Sequence, residues 1–291
     1  SLVTGRAFSG VANGAFTYTY DNNFFINKIG LASGSNTVTT PITRDADGLV
    51  TGYGPFTFTR SGPAGAVSKI NDTALNIAIT YDTLGRVATR THTVNGQNIY
   101  YAQFTYDNTG NISQKTENTT NTASALVYAY DADGQLVKTQ NNSADAERFA
   151  YDVNGNRTSY QRPDWTGALT ANYDSQERLQ QAGATAYQFN ADGQLTQRGQ
   201  DTFQYSATGE LLQATISGQT ITYNYDGIGR RVARTDSTGT CQYLYGNLKQ
   251  PFQLTAMRDP AGVLTYYYYD DTGKLFAFDK GGTRYYVATD Q

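Results

Sequence analysis

One phrase recurs along this chain and limits what it can fold into. An alternating strand ends on tyrosine, Asp-x-x-Gly follows, and a return strand starts within two or three residues. The fullest copy is Tyr225-Asp226-Gly227-Ile228-Gly229-Arg230-Arg231-Val232, entered through Ile221-Thr222-Tyr223-Asn224. The aspartate can accept hydrogen bonds from backbone N–H groups two residues on and so open a turn. The glycine three residues later suits a position with φ > 0, where a side chain is penalised. The phrase therefore predicts strand, tight turn, strand, and it is written at Tyr81-Asp82 with Gly85, Tyr106-Asp107 with Gly110, Tyr130-Asp131 with Gly134 and Tyr151-Asp152 with Gly155. It returns at Tyr225-Asp226 with Gly229 and at Tyr269-Asp270 with Gly273, while Tyr173-Asp174 carries Glu177 where glycine belongs.

The imperfect copies say what each position is for. Asn190 and Ser206 replace the aspartate, and both can open a turn through a side-chain acceptor. A position selected for carboxylate chemistry would not accept serine, so turn formation is the reading. Phe189 in the tyrosine slot suggests that the ring matters there more than the hydroxyl. Between Tyr81 and Tyr225 the aromatic slots lie 16 to 25 residues apart, enough for two short strands and a second connection. Val94-Asn95-Gly96 and Ile216-Ser217-Gly218 are predicted opposite-end turns, since Asn-Gly is a strong hairpin signal. No segment keeps a 3.6-residue apolar period, so no long helix is expected.

A hairpin of this size cannot bury one face alone, and consecutive hairpins must pair edge to edge. The expected fold is all-β: consecutive antiparallel β-hairpin repeats forming a sheet that natural twist curls into a spiral. Residues 41–291 read as the repeat array. Residues 1–40 are less regular: Phe16-Thr17-Tyr18-Thr19-Tyr20-Asp21 opens like a repeat, but Asn22-Asn23-Phe24-Phe25 lacks the glycine. That segment is either a decayed first repeat or a hairpin of another type.

Composition narrows the function. The chain holds 24 Tyr and 29 Gly but one His, one Cys and one Trp, with a net charge of −3. An acidic balance argues against a nucleic-acid footprint, which needs a basic face. Cys241 alone excludes an internal disulfide framework, and with His92 as the sole histidine no Cys/His zinc site can form. No apolar run reaches the length of a membrane span, and Ser1-Leu2-Val3-Thr4-Gly5 does not read as a signal peptide. The chain begins and ends mid-pattern and reads as a fragment of a longer protein.

Several sharper readings give way to the turn. Asp271-Thr272-Gly273 matches the short signature of aspartic proteases, but no second copy supplies the paired carboxylate. Asp45-Ala46-Asp47-Gly48 and Asp131-Ala132-Asp133-Gly134 begin like calcium loops without the downstream bidentate glutamate. Gly227-Ile228-Gly229 begins like a dinucleotide loop, yet no βαβ unit surrounds it. His92 reads as a strand residue and Cys241 as a small hydrophobe. No catalytic residue, metal or cofactor is assigned.

The motif Tyr-Asp-x-x-Gly-Arg/Asn/Gln at Tyr81, Tyr106, Tyr130, Tyr151 and Tyr225 resembles the repeat of the Rhs/YD-repeat proteins. These include bacterial Rhs polymorphic toxins, the C component of insecticidal Tc toxin complexes, wall-associated bacterial proteins and animal teneurins. The terminal Tyr285-Tyr286-Val287-Ala288-Thr289-Asp290-Gln291 is similar to the entry of the core segment that closes such shells. The resemblance implies a structural β-shell that encapsulates a C-terminal toxin or effector of its own parent, or displays domains at the cell surface. It implies a secreted or cell-surface parent and no enzymatic role for this stretch. A different class of function is an adhesion module that uses a tyrosine-rich β surface to bind a glycan or a cell-surface protein.

Overall fold

The structure is a computed structural model and describes residues 2–289. Twenty-eight strands account for nearly all regular structure, and the 3-10 turn Pro63–Gly65 is the sole helical element among the described residues. Strands pair antiparallel with their neighbours in sequence, as in Gln97–Tyr106 with Val87–Val94 on one side and Ile112–Thr119 on the other. The all-β array of consecutive hairpins expected from the repeat is the observed fold.

Two turn types build it. At the Asp turns the N–H of Asp82 donates to the carbonyl of Arg86 at 2.8 Å, and Gly85 N–H donates back to Asp82 at 3.0 Å. Gly85 sits at φ 80°, so each Asp turn is a type I turn closed by a left-handed residue. One residue of the return strand, Ser113 in the turn after Tyr106, is then left over, and the register shifts at the tyrosine, between Thr105 and Tyr106. Most opposite ends are two-residue turns: Asn95 and Gly96 lie at φ 49° and 78°, and Ser217 and Gly218 at 50° and 78°. Both pairs match the mirror-image turn whose twist suits a hairpin.

The first forty residues resolve into the same grammar. Strands Gly14–Tyr20 and Ile26–Ser33 pair antiparallel. Asp21 N–H donates to Phe25 and Phe24 N–H to Asp21, with Phe24 itself at φ 62°. The turn has the bonds of the Asp turns, with Phe24 standing where they carry glycine.

The chain divides into two compact units, residues 76–203 and a discontinuous one made of residues 1–75 and 204–291. In the discontinuous unit the early strands pack on the late ones. Phe56 meets Phe276 edge-on at 4.8 Å and Tyr268 at 4.9 Å, and Phe58 reaches Phe276 at 5.9 Å. Phe16, Phe56, Tyr266 and Phe276 are all buried. Gly246 is required here, because a Cβ would stand 2.3 Å from the ring of Phe16. Within residues 76–203 the buried apolar residues are Ile77, Ile79, Tyr100, Ala102 and Phe104. Beyond Phe104 this unit has none among the described residues, and its strands alternate half-buried with exposed positions, as in Ala144–Tyr151.

Candidate functional site

The polar groups that the repeat brings together are the turn aspartate, the residue after the glycine and the next tyrosine. In the turns of the full repeat Oδ1 accepts two backbone N–H groups: Leu84 and Arg86 on Asp82, Thr109 and Asn111 on Asp107, Asp133 and Gln135 on Asp131. Asp152, Asp174, Asp226 and Asp270 repeat this pattern. Asn190 accepts the same pair through its amide oxygen, and Ser206 through its hydroxyl. The replacements do the same work, as their turn chemistry predicts.

Oδ2 has a second use. Where arginine stands four residues after the aspartate, its Nε donates to Oδ2 at 2.7 Å, in Arg86–Asp82, Arg178–Asp174 and Arg230–Asp226. The carboxylates respond. Partial desolvation would raise Asp226, but the Arg230 guanidinium and the backbone N–H groups outweigh it and hold the carboxyl below its usual value. At Asp174 the Arg178 N–H is the leading cause of the same downward shift.

The arginine then faces the next unit. Arg86 lies 4.1 Å from the ring centre of Tyr106, Arg230 4.9 Å from Tyr245, and Arg178 5.5 Å from Phe189. The tyrosine hydroxyl reaches back in turn. Tyr106 donates to the carbonyl of Val87 at 2.8 Å, Tyr130 to Ile112 at 2.8 Å and Tyr151 to Leu136 at 2.9 Å. Tyr173 donates to Arg157 at 2.9 Å, Tyr225 to Leu211 at 3.0 Å and Tyr245 to Arg231 at 3.0 Å. The acceptor is always the residue five places after the previous turn opener, just past the end of the backbone ladder. At Val87, for example, the paired register with the next strand has stopped at Thr89 and Gln103. The hydroxyl thus stitches successive turns together across a gap that backbone pairing leaves open.

In the aromatic slot the hydroxyl therefore has a part beside the ring. Phe189 keeps the ring and the arginine contact and forgoes the donor. The signal that points to the hydroxyl is the preference for Tyr over Phe in that slot. Tyr81 and Tyr269 end the strands Leu75–Tyr81 and Leu264–Tyr269, in the same place relative to their turns. Gly85, Gly110, Gly134, Gly155, Gly229 and Gly273 all lie at positive φ, and Glu177 takes that conformation at 63°.

The remaining candidates lie in strands or beside turns. Asp271 pairs with Arg60 at 2.8 Å, beside a turn that Asp270 caps. His92 is fully buried and accepts a hydrogen bond from Arg90 Nε at 2.9 Å. Burial and then the Arg90 charge push it down to about 3, so it stays neutral. Cys241 is a strand residue opposite Arg234. Of the terminal run, Tyr285 and Tyr286 close the last strand, while Asp290 and Gln291 lie outside the described residues.

Fold and stitch together define a repeat-built β wall whose recurring polar groups bond to one another. The family model of the teneurin YD-shell matches residues 2–291, and the chain belongs to that family. Teneurin-3 of Danio rerio is 32% identical over 298 residues, covering 97% of this chain and 11% of that protein. Teneurin-4 of Mus musculus is 30% identical over 295 residues, covering 97% and 10%. The chain spans about a tenth of the length of the curated relatives it matches. A crystal structure of TcdB2-TccC3-TEV aligns over 93% of this chain and 15% of that chain, at 16% identity and a TM-score of 0.42.

Proposed function

We propose that this chain is a non-enzymatic scaffold, a wall segment of a YD-repeat shell whose partner is a segment of its own longer parent. The observation that carries this reading is the fate of the repeated polar atoms. Aspartate oxygens are taken by turn N–H groups and arginine, and tyrosine hydroxyls by the preceding hairpin. Groups spent on neighbouring repeats hold a surface in place. A parent carrying such a wall encloses a C-terminal effector or presents domains outside the cell, and a secreted or cell-surface location follows from either role. Limited proteolysis of the parent distinguishes them: a C-terminal segment cut only after the wall unfolds is enclosed, and one cut from the native protein is displayed. Hydrolytic activity that disappears on Asp271→Asn would overturn the scaffold reading.

An adhesion role draws support from one place. Phe149 and Tyr160 stack at 5.3 Å with an interplanar angle of 6°, and Trp165 meets Tyr160 edge-on at 5.0 Å. Stacked rings with a polar edge suit sugars. A glycan array with no signal above background removes this role, and a signal lost on Trp165→Ala establishes it.

A further inference from the structure

The discontinuous unit contains a pocket of about 450 Å³ that the repeat grammar does not explain. Its size falls within the few hundred to ~1,000 Å³ of small-molecule sites. Phe25, Ile26, Ile29, Ile42, Val50 and Phe58 supply an apolar lining. The charged lining residues are Arg44, Arg60, Lys249, Asp270 and Asp271, three basic against two acidic, which leaves one positive charge in excess.

The cations differ in how they are used. Arg60 is satisfied, donating to the carbonyls of Val50 and Gly65 and to Asp271. Asp270 spends Oδ1 on its own turn. Arg44 is different: its Nη1 is buried and has no hydrogen-bond partner among the described residues. Asp21 acts on Arg44 through space, but its Oδ1 is held by the N–H groups of Asn23 and Phe25. Arg44 and Lys249 also lie against the same ring, 5.3 Å and 5.7 Å from the centre of Phe25. A buried guanidinium donor without an acceptor is costly, and two like charges sharing one aromatic ring add to the cost. An anion between them would relieve both.

We propose that this pocket binds a small amphipathic anion, a single carboxylate on an apolar body. The carboxylate lies between Arg44 and Lys249, and the body rests on Phe25, Ile29, Ile42 and Phe58. Guanidinium matches carboxylate geometry, and one excess charge suits a monoanion better than a phosphate ester. This site goes beyond the scaffold role and does not depend on it.

Titration calorimetry on the full chain tests the site with dodecanoate below its micellar range, against dodecanol as the same body without the charge. Dodecanoate should bind saturably with one site per chain, about tenfold or more tighter than dodecanol. Arg44→Gln should weaken dodecanoate by about tenfold and leave dodecanol unchanged. Absence of saturable dodecanoate binding, equal affinity for the alcohol, or an unaffected Arg44→Gln variant overturns the proposal. Should Arg44→Gln fail to fold by circular dichroism, Lys249→Gln decides. It alters an exposed side chain, and unchanged dodecanoate affinity in that variant likewise refutes the site.

Discussion

The two units share one repeat and hold it in different ways. Residues 76–203 are organised by neighbours: four successive turns are stitched to the previous one through a tyrosine 15 to 19 residues on, and the turn after Phe189 lacks the donor. The discontinuous unit adds contacts across more than 200 residues of sequence. Tyr18 donates to the carbonyl of Gly246 at 2.9 Å, Thr40 to the hydroxyl of Tyr266 at 2.9 Å, and Arg284 to Asp72 at 3.1 Å. Asp72 also accepts from Tyr286 and from the N–H groups of Ala74 and Leu75, while Arg284 grips Asp279 with two bonds of 2.8 Å. A repeat array with only neighbour contacts gains stability unit by unit, as solenoids do. Non-local packing of buried aromatics adds a shared core, so one side chain there can matter more than a whole stitch.

Acidification should have the largest effect, because it strikes both arrangements together. Burial would raise Asp72, but bonds from Leu75, Ala74, Tyr286 and Arg284 outweigh it and hold the carboxyl below its usual value. Asp82 and Asp174 in the neighbour-stitched unit, and Asp226 in the other, are lowered too. A depressed folded value contributes stability above the unfolded value, near ~3.9 for aspartate, and loses it as pH falls through the folded value. Circular dichroism should therefore report unfolding as pH drops below about 4. A signal unchanged to pH 2 would show that the carboxylate bonds contribute nothing.

Among single substitutions, Phe276→Ala should be the most damaging, by about 3–5 kcal/mol in chemical denaturation. A loss no greater than that of one stitch would erase the distinction between the units. Gly229→Val should cost about 1–2 kcal/mol. The backbone is at φ 80° while a Cβ there meets nothing within 4 Å, so strain is the whole penalty. An unchanged melting temperature would disprove the left-handed turn. Tyr130→Phe should cost about 1 kcal/mol for the bond to Ile112. Phe189→Tyr, in the same assay, should recover part of that amount, and parity of the two variants with the parent chain would remove the stitch. The smallest change expected is a gain: Glu177→Gly should add roughly 0.5–1 kcal/mol, because relief of left-handed strain exceeds the entropy cost of glycine.

Much of the turn chemistry was legible beforehand because it is local. Asp82 reaches only as far as Arg86, and Asn190 or Ser206 can be recognised as substitutes from their own side chains. The turn after Tyr20 was harder to read, since Phe24 stands where glycine is expected, and its φ of 62° and the backbone bonds around it show the turn. The stitch could not be located from spacing, because Tyr106 and Val87 meet through the register of two strands. The pocket was illegible for the same reason: Arg44 and Lys249 are separated by 205 positions and share a ring from a third segment.

By itself, then, the sequence determined an all-β array of hairpins with Asp-opened turns, since hydrogen bonds within five residues need no distant partner. Tertiary structure alone decided where the tyrosine hydroxyls go and that residues 1–75 pack with residues 204–291. It also decided which arginine keeps an unsatisfied donor in an apolar pocket. Such contacts depend on strand register and on chain closure, and neither is written in any short stretch of residues.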